Sequence, residues 1–192
     1  MLALQFGEFP LLTTSRLRLR SIELADTAAF FELRSHHEFN TFLDRDKPKD
    51  HQEVERLIQT ILKNFEDNEA VCWVISPKES DDFMGSISFW KIDKAHFRAE
   101  IGYGIHPDFQ QRGYMSEALT AVIEYGFRKM NLHSIEANIN PSNVASTKLV
   151  EKHGFVQEAY FRENYYYNGQ FLDSAIFSLV DKGGSGTDLK NK

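Results

Sequence analysis

The chain has 192 residues, of which 42% are hydrophobic and 26% are charged, as in ordinary globular proteins. This length fits one domain that buries a sizeable core. The formal net charge of −6 argues against a nucleic-acid partner, because phosphate binding requires clustered basic surface.

Cys72 is the single cysteine, which excludes an intramolecular disulfide and a cysteine-based zinc site. It lies in the apolar run AVCWVIS, so we expect an inert buried thiol. The histidines lack metal-ligand spacing, and we predict no metal site. Without a run of 18 apolar residues or a basic signal-peptide region, we expect a cytoplasmic protein with no membrane partner. We predict one domain over residues 1–181 and a disordered polar tail over 182–192.

Hydrophobic periodicity predicts the elements in chain order. Alternating or β-rich stretches predict strands over residues 16–22, 70–76, 83–92, 98–105, 134–139, 155–167 and 171–180. Helical spacing predicts helices over 23–37, 50–68, from 115 onwards and over 142–153. Asp50 is the expected cap of the second helix, and Asn168-Gly169 is a hairpin turn. The predicted order mixes strands and helices and has hairpins at both ends, which indicates an α+β or mixed-sheet α/β fold.

The stretch DFQQRGYMSEAL (residues 108–119) connects a strand to a helix through polar residues and Gly113. The first N–H groups of a helix lack intrahelical partners and carry the positive end of the helix dipole, so this connection suits an anion. A tight turn with no ligand is the alternative. The single glycine and the missing Gly-Lys-Ser/Thr exclude a dinucleotide fingerprint and a Walker A loop.

Three segments together carry a resemblance: EIGYGIHPDFQQRGYMSEAL, NINPSNVASTKLVEKHGF and EAYFRENYYYNGQFLDSAIFSL. They resemble the GNAT superfamily of acyl-coenzyme A-dependent N-acetyltransferases, and within it the RimJ/RimL-like branch that acetylates ribosomal-protein N-termini. The resemblance covers residues 10 to 181. It implies a mixed central sheet that splays between its fourth and fifth predicted strands, with about four flanking helices.

The resemblance also implies acetyl-CoA as co-substrate. Its pyrophosphate would lie on the loop from Gln110 to Ser116, and its pantetheine arm beside the strand that ends at Ile105. The expected cofactor-binding residues are Ile105, Gln110, Gln111, Arg112, Gly113, Tyr114, Met115, Ser116, Asn143 and Ser146. Met115 departs from the family pattern, which has a small residue there, and could crowd the helix start. Gly102 and Gly104 suit a bulged strand or a simple irregularity.

Acetyl transfer requires an acceptor for the amine proton, a donor to the oxyanion and a proton for the leaving thiolate. By resemblance, Glu100 is the candidate base; a structural or substrate-orienting carboxylate is the alternative. By the same resemblance, Asn143 would contact pantetheine and Ser146 would protonate the thiolate. The alternative is that Asn143 is only the N-cap of its helix and Ser146 only the residue at the N3 position. Tyr114 and Tyr160 are other candidate acids.

The acceptor face should combine the first two helices, their connecting loop and the last hairpin. Its acidic candidates are Glu38, Asp44, Asp46 and Glu163, and its apolar wall would include Phe39, Phe42 and Tyr165 to Tyr167. We expect a primary amine, with a protein N-terminus such as that of a ribosomal protein first. The alternatives are a small amine, a non-catalytic coenzyme A-binding module and a nucleotide-binding domain. We expect a monomer or a homodimer.

Overall fold

The computed structural model describes residues 2–183. Within them, eight strands form one mixed sheet, and five α-helices flank it. The strands are β1 (Leu12–Thr13), β2 (Leu17–Ser21), β3 (Val71–Pro77), β4 (Gly85–Asp93), β5 (Arg98–Ile105), β6 (Ser134–Ile139), β7 (Val156–Tyr167) and β8 (Gln170–Val180). The helices are α1 (Thr27–Ser35), α2 (His37–Asn40), α3 (His51–Glu66), α4 (Tyr114–Arg128) and α5 (Val144–Lys152).

The predicted elements are confirmed, and the short β1 and α2 are additional. The bounds of β5 and β6 agree with the prediction to the residue. Asp50 caps α3, because its Oδ1 accepts the N–H of Glu53 at 2.8 Å. The predicted tail lies outside the described residues from position 184 onwards. No helix among residues 2–183 has both the length and the apolar character of a membrane span.

The strand order across the sheet is β1-β2-β3-β4-β5-β6-β8-β7. β5 and β6 run parallel, whereas the other neighbouring strands described here are antiparallel. Three residue pairs join β5 to β6, from Arg98 opposite Ser134 to Glu100 opposite Glu136. Beyond Glu100 the two strands separate. This is the predicted splay, and it opens a gap in the middle of the sheet.

Helices cover both faces of the sheet. On one face, Phe30 of α1 and Val54 and Ile58 of α3 pack with Val74 of β3. On the other face, α4 packs against the larger core around Trp73, Phe89 and Phe177. The buried residues of α4 recur at the helical spacing that predicted this helix, and they are Met115, Ala118, Leu119, Val122 and Gly126. Helix α4 therefore presents its first turn at the edge of the gap, close to the end of β5.

Candidate active site

The connection from β5 to α4 forms an open helix end. Gly113 takes a left-handed backbone conformation, with φ of 79°, and immediately precedes the first residue of α4. The first intrahelical bond runs from the N–H of Glu117 to the carbonyl of Gly113 at 3.0 Å. The N–H groups of Tyr114, Met115 and Ser116 therefore have no intrahelical acceptor, which is the geometry that holds an anion.

A cavity of about 440 Å³ lies in front of this helix end. Nine of the ten predicted cofactor residues line it: Ile105, Gln110, Gln111, Gly113, Tyr114, Met115, Ser116, Asn143 and Ser146. The tenth, Arg112, is exposed, and its carbonyl accepts a hydrogen bond from Arg16 at 3.1 Å. The structure thus brings the loop and the start of α5 to one cavity.

The side chain of Met115 is buried in the main core, 9% exposed. Most of this larger side chain is taken up by the core, and the residue also lines the cavity at the helix start.

A network that the sequence did not reveal holds the loop in place. The carboxylate of Glu117, in the first turn of α4, accepts hydrogen bonds from Thr14 Oγ1 at 2.6 Å, Ser15 Oγ at 2.9 Å and Arg16 Nε at 2.7 Å. Burial alone would raise the pKa of Glu117, but these bonds lower it to about 2. The guanidinium of Arg16 also lies 4.6 Å above the centre of the Tyr114 ring. The chain before β2 is thereby anchored to the helix end.

Ser146 lies in a short chain of hydrogen bonds. Its Oγ is 2.7 Å from the hydroxyl of Tyr103, and its N–H donates to Asn143 Oδ1 at 3.0 Å. Asn143 is therefore the cap of α5, as one reading of the sequence expected. Burial raises the pKa of Tyr103 to about 12, so this phenol keeps its proton at neutral pH. Sequence reasoning missed Tyr103, although alternation along β5 places it between the buried Ile101 and Ile105.

A second cavity, of about 540 Å³, meets the first. Among the residues lining both are Phe39, Tyr103, Gly104, Asn143 and Ser146. Glu100 lines the second cavity with its side chain 11% exposed, and its Oε2 is paired with Lys91 Nζ at 2.9 Å. The shared residues mark the point where a ligand in one cavity reaches a ligand in the other.

The sequence left a bulge or a simple irregularity open at Gly102 and Gly104, and the pairing of β5 with β4 shows neither there. The register of β4 with β5 is continuous from Ile105 to Glu100, and its irregularity lies beyond, next to Trp90. Gly104 is needed for a different reason: a Cβ there would collide with the ring of Phe39. The glycine lets α2 lie directly on the strand.

The acidic candidates for the acceptor face lie at separate places in the structure. The hydroxyl of Tyr165 donates to Asp44, and that of Tyr167 to Asp46 at 3.5 Å, which ties the loop before α3 to the last hairpin. Glu38 lines the first cavity. Glu163 lies on β7, where its N–H donates to Asp173 at 2.8 Å. Cys72 was expected to be buried, but it is only partly buried and lines the second cavity. Desolvation raises the pKa of its thiol to about 12, which disfavours the reactive thiolate.

Comparison with known proteins agrees with this geometry. The family model described as the acetyltransferase (GNAT) domain matches residues 16–156. The chain belongs to the GNAT acetyltransferase family. The predicted family, the splayed sheet and the assignment as an N-acetyltransferase are thereby confirmed.

Curated relatives of this GNAT chain include proteins with different acceptors. It is 33% identical to the uncharacterized N-acetyltransferase YoaA of Bacillus subtilis, over 90% of the chain and 97% of YoaA. It is 25% identical to spermidine N(1)-acetyltransferase of Vibrio cholerae, over 83% of the chain and 90% of that enzyme. It is 33% identical to the ribosomal protein uS5-alanine N-acetyltransferase of Escherichia coli, over 53% of each.

Solved GNAT structures share the fold. The ribosomal-protein-S5-alanine acetyltransferase of Vibrio fischeri superposes with a TM-score of 0.81 at 21% identity, over 90% of this chain and 97% of that one. Spermidine N-acetyltransferase from Vibrio cholerae, in complex with CoA and spermine, superposes with a TM-score of 0.78 at 24% identity, over 87% and 96%.

Proposed function

We propose that this GNAT protein transfers an acetyl group from acetyl-CoA to a primary amine by direct attack, with the N-terminal α-amine of a protein, such as a ribosomal protein, as the leading acceptor. The observation that carries the proposal is the meeting of two cavities at Tyr103 and Ser146. One cavity ends at the open N-terminus of α4, and the other contains a partly buried carboxylate.

The first cavity suits the co-substrate. Its pyrophosphate would lie against the free N–H groups of Tyr114, Met115 and Ser116, where the helix dipole adds about half a positive charge. The thioester would then extend along β5 into the gap beside β6. Asn143 and Ser146 line the same cavity.

The second cavity suits the amine. We assign Glu100 to accept the proton that the amine loses as its nitrogen bonds to the acetyl carbon. The carbon–sulfur bond breaks at the same centre, and the leaving thiolate takes the proton of Ser146 while Ser146 takes that of the hydrogen-bonded Tyr103. Solvent then removes the proton from Glu100 and returns one to Tyr103. A backbone N–H near Tyr103 to Ile105 would donate to the oxyanion. No side chain is assigned as a nucleophile.

A small polyamine is the second candidate acceptor. The spermidine acetyltransferase relative covers 83% of the chain, whereas the ribosomal-protein relative covers 53%. The longer match favours a polyamine, and an experiment must separate the two. The cytoplasmic location and the oligomeric state stay predictions.

The test is thiol release from acetyl-CoA with three acceptors in parallel. They are a peptide with a free Ser or Ala N-terminus, the same peptide blocked at the N-terminus but carrying Lys, and spermidine. Release with the first alone supports the proposal, whereas release with spermidine alone assigns the protein to small-amine chemistry. No release with any of them, together with a melting temperature raised by acetyl-CoA, would contradict both named acceptors and leave either another amine or a coenzyme A-binding module.

A further inference from the structure

Two arginines in the second cavity have no ion-pair partner among residues 2–183. Arg34 lies in the last turn of α1 and Arg45 lies between α2 and α3, and both line the cavity of about 540 Å³. Their guanidinium carbons lie 5.4 Å from the ring centre of Phe30 and 5.5 Å from that of Phe39. The Nε atoms of both are buried and lack a hydrogen-bond acceptor. Across residues 2–183, neither guanidinium forms an ion pair.

The two side chains also repel each other. Burial, and after it the charge of Arg34, lower the pKa of Arg45 to about 10. Burial lowers the pKa of Arg34 as well, against the attraction of Glu53. Both remain charged at neutral pH. Two like charges that are partly buried and have no ion-pair partner are unfavourable. An anionic ligand placed between the two guanidiniums would offset their repulsion and would accept hydrogen bonds from the donors that lack a partner.

A series of contacts connects the two arginines to Tyr103 and Ser146, where acetyl transfer is proposed. Arg45 lies over Phe39, and the ring of Phe39 lies against Gly104 of β5. The residue before Gly104 is Tyr103, whose hydroxyl is hydrogen-bonded to Ser146. Glu100, the carboxylate assigned to the amine, lines the same cavity. One cavity thus offers a carboxylate for a cation and two guanidiniums for an anion.

We propose that the acceptor amine carries a carboxylate, bound by Arg34 and Arg45 while the amine faces Glu100. This inference rests on the proposed acetyl transfer and narrows its acceptor. The planar guanidinium fork matches a carboxylate with two parallel bonds. A polyamine has cations alone and would bring like charge to this site, so the geometry opposes spermidine. The carboxylate has two possible sources: the α-carboxylate of a free amino acid, or an Asp or Glu side chain near a peptide N-terminus.

Matched acid and amide acceptors test the inference. The first pair is alanine and alaninamide. The second pair is two C-terminally amidated peptides that begin with Ala-Glu or Ala-Gln. We expect kcat/KM to favour the acid in one pair by roughly 10- to 100-fold, the range that a charge-assisted hydrogen bond supplies. The pair that shows the preference identifies the source of the carboxylate. Equal rates for acid and amide in both pairs would overturn the inference.

Variants separate recognition from a structural role. Arg34→Gln and Arg45→Gln should each bring the acid-to-amide ratio of kcat/KM down towards one. Lys47→Gln is the matched control, because it removes the same charge from an exposed residue of the same loop, and the ratio should hold. If Arg45→Gln lowered the rates of acid and amide by the same factor, the arginine would only support the fold and the inference would fail.

Binding calorimetry with the same four molecules, in the presence of coenzyme A, distinguishes the two proposals. Preferential binding of an acid without any thiol release would support the carboxylate site and refute acetyl transfer to these acceptors. Thiol release with no preference in rate or binding would support acetyl transfer and refute the carboxylate site.

Discussion

Replacing Glu117 with glutamine removes the charge that anchors the chain before β2 to the first turn of α4. The amide oxygen of Glu117→Gln can still accept one hydrogen bond from Thr14 or Ser15. It cannot form the ion pair with Arg16, whose Nη2 lies 2.7 Å from the native carboxylate. The variant should therefore lose stability, and the Gly113 loop should lose one of its supports.

The size of the loss follows from the shift in pKa. A fall of the pKa from the ordinary 4.5 to about 2 corresponds to at most about 3.5 kcal/mol, since one pKa unit is worth about 1.4 kcal/mol. Arg16 is 47% exposed, so solvent screens part of this interaction. We expect Glu117→Gln to lower the free energy of unfolding by about 1.5 kcal/mol at pH 7, after that reduction.

Urea unfolding from pH 7 to pH 3 measures this effect. The pKa of Glu117 is depressed in the folded protein, so its contribution is complete above about 4.5 and is lost as the pH falls towards about 2. The difference in stability between wild type and Glu117→Gln should shrink over this window. Glu124→Gln, at an exposed position of the same helix, is the control and should change the free energy by less than about 0.5 kcal/mol.

Two results would refute the reasoning. One is a variant as stable as wild type at pH 7. The other is a stability difference that stays constant as the pH falls, which would show that the loss comes from packing and not from the ionised carboxylate. Acetyl-CoA affinity, measured on the same samples, tests whether the anchor also positions the loop.

Three further predictions concern the site. Gly113→Glu should abolish acetyl-CoA binding in a folded protein, because it places a carboxylate where the pyrophosphate is expected and strains the backbone at a φ of 79°. Retained affinity in calorimetry would contradict the assignment of this loop to the pyrophosphate. Tyr103→Phe should lower kcat by roughly 10-fold or more with unchanged acetyl-CoA affinity, and an unaltered kcat would make this hydroxyl structural. Glu100→Gln should lower kcat by roughly 100-fold or more and remove an ionisation from the pH–rate profile, whereas Lys91→Gln, which breaks only the ion pair, should keep that ionisation.

Local patterns predicted the elements of the fold well. The alternation in RAEIGYGI and the offsets of apolar residues in α4 depend on neighbours along the chain, so β5 and the buried helix face could be read directly. The splay came from the family resemblance, since no local pattern encodes how far two parallel strands remain paired. Gly104 shows the limit of local patterns. Its sequence context left a bulge or an irregularity open, but the residue that requires glycine there is Phe39, 65 positions earlier in the chain.

The parts of the site that were missed all depend on long-range contacts. Arg16 and Glu117 are 101 residues apart, and Tyr103 and Ser146 are 43 apart. The sequence contains each residue, but pairing a given arginine with a given glutamate requires the folded positions of β2 and α4. Arg34 and Arg45 were overlooked because of their polar sequence context. Charged residues in a polar helix and loop usually face water, and only the structure shows that these two line a cavity.

The three residue pairs that connect β5 to β6 also have a consequence for local unfolding. Five strands lie on one side of this narrow junction and three on the other, and each group has its own continuous ladder of antiparallel hydrogen bonds. We expect native-state amide exchange to resolve the two groups as separate cooperative units with different opening free energies. A molecule bound in the gap would touch both, so saturating acetyl-CoA should slow exchange across the whole sheet and merge the two units into one.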